Sequence, residues 1–206
     1  MTQHVLRSVL RDGTGDLHAT LDAQVGALDS PTAYLAYLRG SHAFRSAIDP
    51  LLEAGSARIG WRPVMLSDAT ARDLADLGAG RSTPVTPPAL PDAAAVAGAL
   101  YVVEGSSIGA TLIARRAAAL GYTAGHGASH LALQTGDPRR WRRFLDWLHA
   151  ADPDPARAVK AARAVFQTAM TAFTQRKTKS NWTADVVRLR NPKCPQPCPT
   201  LPMPVI

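Results

Sequence analysis

The segment from Asp92 to Gly121 most constrains the fold, because it reads as one long helix with glycines inside it. Aspartate is a preferred N-terminal cap, and glycine commonly ends a helix. Between them lies AGALYVVEGSSIGATLIARRAAAL, starting at Ala97, with Gly98, Gly105 and Gly109 in its interior. Each interior glycine costs a helix roughly 1 kcal/mol relative to alanine. Gly105 and Gly109 are four residues apart, so they share one face a turn apart, and Ser106, Ala110 and Ala114 widen that small-residue face. Such a face admits close approach, and the helix can bend there. Two uses fit: tight packing against another helix, which is the commoner one, or a flat ligand lying on the backbone. Ser106 and Ser107 suit ordered water beside such a ligand. Glu104 is expected to face away from it and to bind another helix.

The rest of the chain is helical as well. Leu6, Leu10, Leu17, Leu21, Val25 and Leu28 recur at helical spacing, with Thr14 on the same stripe. Ser30-Pro31 caps and starts a second helix, expected to reach about Glu53, with Tyr34, Leu38, Phe44, Ile48 and Leu51 or Leu52 inward. Gly55 to Pro63 reads as a loop. Ser67 is expected to cap a third helix that stops at Gly78. The stretch Gly80 to Pro91 is proline-rich and aperiodic, hence a loop. After the glycine- and histidine-containing loop around His126, Asp137-Pro138 and Asp154-Pro155 start two more helices. The first carries Trp141, Phe144, Leu145, Trp147 and Leu148; the second carries Val159, Ala162, Val165, Phe166, Ala169, Met170 and Phe173. No stretch alternates at period two for long. The expectation is an all-α, single-domain bundle of six or seven helices over residues 1–178, followed by a Pro-rich flexible tail over 179–206.

The length of 206 residues suits one domain, and 46% hydrophobic residues can bury one core. The net charge of +7 is compatible with acidic partners but carries no nucleic-acid signature. Arg139, Arg140, Arg142 and Arg143 around Trp141 read as a solvated helix start more readily than as a phosphate site. Neither a signal-peptide pattern nor an apolar run of about 20 residues is expected, so no membrane partner follows and a cytoplasmic location is the default. Cys194 and Cys198 both fall in the tail, leaving the body without a disulfide framework.

His18 sits at the edge of the first helix's buried stripe. Asp22 lies one turn on, placed to tie one ring nitrogen, as carboxylates do for metal-bound histidines. Arg11, two turns back on nearly the same side, can meet an anionic group. A lone histidine is more often structural than a ligand, and this arrangement shifts the balance only modestly. Glu53 and Glu104 are the only glutamates, and neither has a histidine three residues on, which argues against a di-metal carboxylate site. A zinc site at His126 and His130 lacks further ligands nearby.

LRDGTGDLHATLDA followed about 80 residues later by LYVVEGSSIGA resembles the bacterial haem oxygenase family, and within it the biliverdin-forming enzymes found alongside bacterial phytochromes. The likeness covers roughly residues 5–178. It implies the haem-oxygenase-like helical bundle and haem as both cofactor and substrate. It further implies O2 and a reductase or ferredoxin as electron source, ring opening to biliverdin, CO and Fe2+, and a phytochrome as biliverdin acceptor. By position, the resemblance makes His18 the proximal iron ligand, Asp22 its support and Arg11 a propionate partner. Gly105 and Gly109 become the crossing point of the distal helix. A second propionate partner is expected from the Arg139–Arg143 run, with Arg143 the candidate, and Phe166 is expected to line the haem. Two departures stand out: Ala110 replaces a frequent second glycine, and Ser106 stands where animal enzymes place a catalytic aspartate. A serine can hold a water but offers no carboxylate. The alternative reading is a haem-binding or delivery protein without catalysis. Should His18 not hold the iron, His42 is next in line.

Overall fold

A computed structural model describes residues 5–174. They form α1 (Val5–Val25), α2 (Pro31–Ile59), α3 (Ser67–Asp76), α4 (Ala93–Ala119), α5 (Ser129–Thr135), α6 (Arg140–Ala151) and α7 (Pro155–Thr174), with no strand among the described residues. The all-α bundle expected from periodicity is the fold observed. The proline-rich tail expected over 179–206, with both cysteines, lies outside the described residues.

The expected caps hold at two long helices. Ser30 accepts the Ala33 N–H at 3.3 Å ahead of Pro31, and Asp92 accepts the Ala95 N–H at 2.9 Å. Three expectations need correction. First, α2 does not end near Glu53 but runs through Gly55 to Ile59, and Gly60, in the left-handed region at φ 75°, ends it. Gly55 is a packing position and not a breaker: a Cβ there would come 2.7 Å from Val96 of α4. Second, Ser67 does not cap α3. Asp49, reaching from α2, accepts the N–H groups of Leu66 and Ser67 at 2.7 and 2.9 Å. Arg45, one turn back, pairs with Asp49 at 2.8 Å, and burial drives the Asp49 carboxyl upward against that pairing. Third, α5 had no sequence signal. Its seven residues begin after a tight turn in which Thr123 and His126 exchange backbone hydrogen bonds.

Helix α7 organises the bundle. Its buried face is Ala158, Ala161, Ala162, Val165, Phe166, Ala169, Ala172 and Phe173, mostly small residues, and α1, α2 and α4 all lie against it. Each comes close through a glycine. Gly98 of α4 sits over the Ala158 backbone, Gly13 of α1 over Val159 and Gly40 of α2 over Phe173. No apolar run approaching a membrane span was expected, yet α4 is long and apolar enough by length and composition. Half of its apolar window is nonetheless buried within the protein, as suits a core helix.

A Cβ at Gly98 would fall 2.1 Å from the Ala158 carbonyl oxygen, which is backbone and cannot give way. Gly98→Ala should therefore cost about 2–3 kcal/mol through overpacking, and lower the melting temperature by roughly 5–10 °C. Gly15→Ala, where a Cβ meets nothing within 4 Å, should raise stability by up to about 1 kcal/mol. Equal melting temperatures for the two variants would contradict this packing.

Candidate functional site

Helices α1 and α4 both pack on α7 and make little contact with each other. They approach near their ends. Tyr101 of α4 lies in the field of Arg7, Arg11 and Asp12 of α1. Arg116, near the C-terminus of α4, reaches the Gly26 carbonyl just past α1. The two helices thus run parallel with the same rise per residue. Eight residues before Gly26 is His18, and eight before Arg116 is Ile108, so a side-by-side course would set His18 near the level of Ile108 and Gly109.

The α1 side is fixed by charge and by a ring contact. Arg163 of α7 forks onto both Asp16 oxygens at 2.8 and 3.0 Å and also donates to the Gly13 carbonyl at 2.7 Å. The hydrogen bond from Arg163 holds the Asp16 carboxyl below its ordinary range. One half-turn on, His18 is exposed, at 63% of its side chain, and its Nδ1 faces Asp22 Oδ2 at 3.1 Å. The imidazole meets Phe166 of α7 edge to face, with centroids 5.9 Å apart and planes at 69°. Phe166 itself is buried in the core. With Nδ1 engaged, Nε2 is the nitrogen open to an outside ligand. Arg11 is exposed and donates to Asp12 at 2.9 Å.

The α4 side is open and apolar. Gly105 backs onto the Trp141 ring, where a Cβ would sit at 3.5 Å, while a Cβ on Gly109 would meet nothing within 4 Å. Ile108 and Leu112, on the same face, are exposed at 60% and 50%. Ser106 donates to the Val103 carbonyl at 2.6 Å, and Ser107 donates to the Glu104 carbonyl at 2.6 Å. Glu104 faces away from this side as expected. Only 3% exposed, it accepts from Trp61 Nε1 at 3.0 Å and from Arg140 Nε and Nη2, each at 2.7 Å. Arg140 lies over the Trp61 ring, 5.2 Å from its centroid, and also donates to the Arg62 carbonyl at 2.6 Å. This cluster ties α4 to α6 immediately before Gly105.

Arg143 pairs with Asp137 on the approach to its own helix. It is exposed there, and Arg140 is the member of the arginine run that bonds to α4, through Glu104. His42 has both nitrogens occupied: Nδ1 accepts the Ser82 N–H at 3.2 Å and Nε2 faces Ser46 Oγ at 3.3 Å. Burial and Arg81 push its pKa down, and it is not placed to reach outside the core. His130 is 1% exposed and tied to Asp73 at 2.6 Å, with Tyr37 on its other nitrogen at 3.3 Å. A zinc site with His126 is thus closed to it, and no cluster of three metal-ligating side chains occurs among the described residues. Sequence reasoning missed Tyr101, although it lies four residues before Gly105 on the same face. It also missed Gln134, which donates to Ser106 at 2.8 Å.

No family model matches the chain. Among curated proteins, the heme oxygenase of Xanthomonas campestris pv. campestris (strain 8004) is 31% identical over 156 residues, spanning 71% of this chain and 93% of that protein. Among solved structures, the NO- and CO-bound heme oxygenase from Neisseria meningitidis aligns with a TM-score of 0.71 at 25% identity, over 83% of this chain and 91% of that one. The all-α scaffold is shared, and the chain belongs to the haem oxygenase family.

Two contrasts test the electrostatics. Arg140→Met leaves the buried Glu104 without its cation and should cost about 3 kcal/mol, whereas Arg143→Met, at an exposed pair, should cost well under about 1 kcal/mol. Denaturant midpoints separate the two, and equal losses would contradict the assignment. Asp73 offers a pH test. Burial opposes its charge, but hydrogen bonds from His130 and Ser129 outweigh burial and hold its carboxyl below 3.8. A depressed carboxyl stabilises the fold fully above its unfolded value and loses that contribution as pH falls below 3.8. The stability gap between the parent and Asp73→Asn should therefore be widest near neutrality and shrink below pH 3.8. A gap that does not narrow would contradict it.

Proposed function

We propose that this chain is a haem oxygenase that uses O2 and an external electron donor to open haem to biliverdin, CO and Fe2+, with His18 as the iron ligand. One observation carries the reading: an exposed histidine is tied at Nδ1 to Asp22 and props on Phe166, which leaves Nε2 to an outside ligand, while Gly109 of α4 has open space where a Cβ would sit. The donor set fits haem. An imidazole with one engaged nitrogen is a suitable axial ligand, and exposed Ile108 and Leu112 beside Gly109 suit an apolar ring. Haem supplies the iron that activates O2 and the ring that is cut.

The chain's residues do the rest. Asp22 keeps the Nδ1 proton on its own side, so that Nε2 presents its lone pair outward. Phe166 props the imidazole edge and keeps water from that flank. Gly105 and Gly109 would let a flat ring lie close to the backbone of α4. Arg11, now on the neighbouring Asp12, is free to turn to a propionate, with Tyr101 beside it. Burial pushes the Tyr101 hydroxyl up, so it stays protonated at neutral pH and can donate a hydrogen bond. The formal charge of +7 suits an acidic reductase or ferredoxin as electron donor.

Reconstitution tests the reading. Haem should give a Soret band, and reductant in air should replace that band with bilin absorption and release CO. A haem spectrum that survives turnover would leave the non-catalytic haem-binding protein instead. His18→Ala should lose the axial-histidine spectrum and regain it with added imidazole. An unchanged spectrum would move the iron to another residue.

A further inference from the structure

The proton inventory of α4 near Gly105 is tight. Ser106, Ser107 and Thr111 each direct their hydroxyl at a backbone carbonyl three or four residues back, those of Val103, Glu104 and Ser107. A carbonyl can only accept, so the single Ser106 proton is committed to Val103. Whatever else bonds to Ser106 Oγ must then donate to it. The Gln134 atom 2.8 Å away is consequently the amide nitrogen, which also settles the orientation of that amide. Gln134 belongs to α5, which packs on both α3 and α4. Asp73 anchors the start of α5 by accepting the N–H groups of Ser129 and His130 at 2.8 and 2.9 Å.

We propose that Gln134 is a positioning residue for the distal side: its amide, held by the anchored α5, fixes the Ser106 hydroxyl as a hydrogen-bond acceptor of set direction. The inference rests on the haem reading above. With its proton on Val103 and one lone pair on Gln134, Ser106 Oγ has one acceptor position left, open on the exposed side of the helix. A water there donates one hydrogen to Ser106 and turns its other toward a ligand on the haem. Ser106 thus supplies orientation, and Gln134 acts through it.

The C–O stretch of the ferrous carbonmonoxy complex reads this directly. A donor near the ligand oxygen draws density into the C–O antibonding orbital and lowers the frequency. Gln134→Leu should shift the band to higher frequency and broaden it, with haem affinity held within about twofold, since the site is at the surface. Ser106→Ala should give a similar shift. The double variant should shift no further than Ser106→Ala alone, because the two residues form one unit. An unchanged band in Gln134→Leu, or shifts that add in the double variant, would overturn the proposal while leaving haem binding intact. Absence of a Soret band in the unaltered chain would overturn the haem reading, and this inference with it.

Discussion

The contact on which the rest depends is the seating of α4 against the backbone of α7 at Gly98 and Ala158. No side chain larger than hydrogen fits there. This close crossing fixes the depth of α4 in the bundle, and Gly13 over Val159 does the same for α1 on the neighbouring flank of α7. Two helices held at close range on one small-residue helix need not touch each other. The spacing of α1 and α4 is therefore set by how each packs on α7.

Charge then sets the register of the two helices. The Arg163–Asp16 fork and the Arg163 bond to Gly13 stop α1 from sliding along α7. Glu104, with Trp61 and Arg140, pins α4 one residue before the open glycine turn. The Glu104 cluster is the costlier element, since an unpaired carboxylate at 3% exposure is strongly unfavourable. Behind the exposed turn, Glu104 has Trp61 and Arg140 as partners. The buried chain from Asp73 through His130 to Tyr37, whose hydroxyl burial pushes up to about 12, plays the same part for α5.

Much of this was legible in the sequence because it depends on local patterning. The stripe of α1, the caps at Ser30 and Asp92 and the apolar face of α7 follow from spacing and side-chain chemistry. His18 beside Asp22 is likewise an i,i+4 relation. What was not legible depends on distant partners. Gly55 looks like a terminator until Val96 is seen against it. Asp49, and not Ser67, caps α3 from another helix. Helix α5 is seven residues long and draws its stability from Asp73, so no amphipathic period announces it. With α5 unforeseen, Gln134 could not be placed near Ser106. Among the arginines, composition could not tell Arg140, stacked on Trp61 and bonded to Glu104, from the exposed Arg143.

The central claim is positional: a ring carried by His18 lies beneath the glycine turn of α4. An anomalous difference map at the iron absorption edge, from crystals grown with haem, tests it most directly. The account predicts one iron peak within bonding distance of His18 Nε2, with Gly105 and Gly109 across the ring. A peak beside any other residue, or a haem seated away from α4, would contradict it.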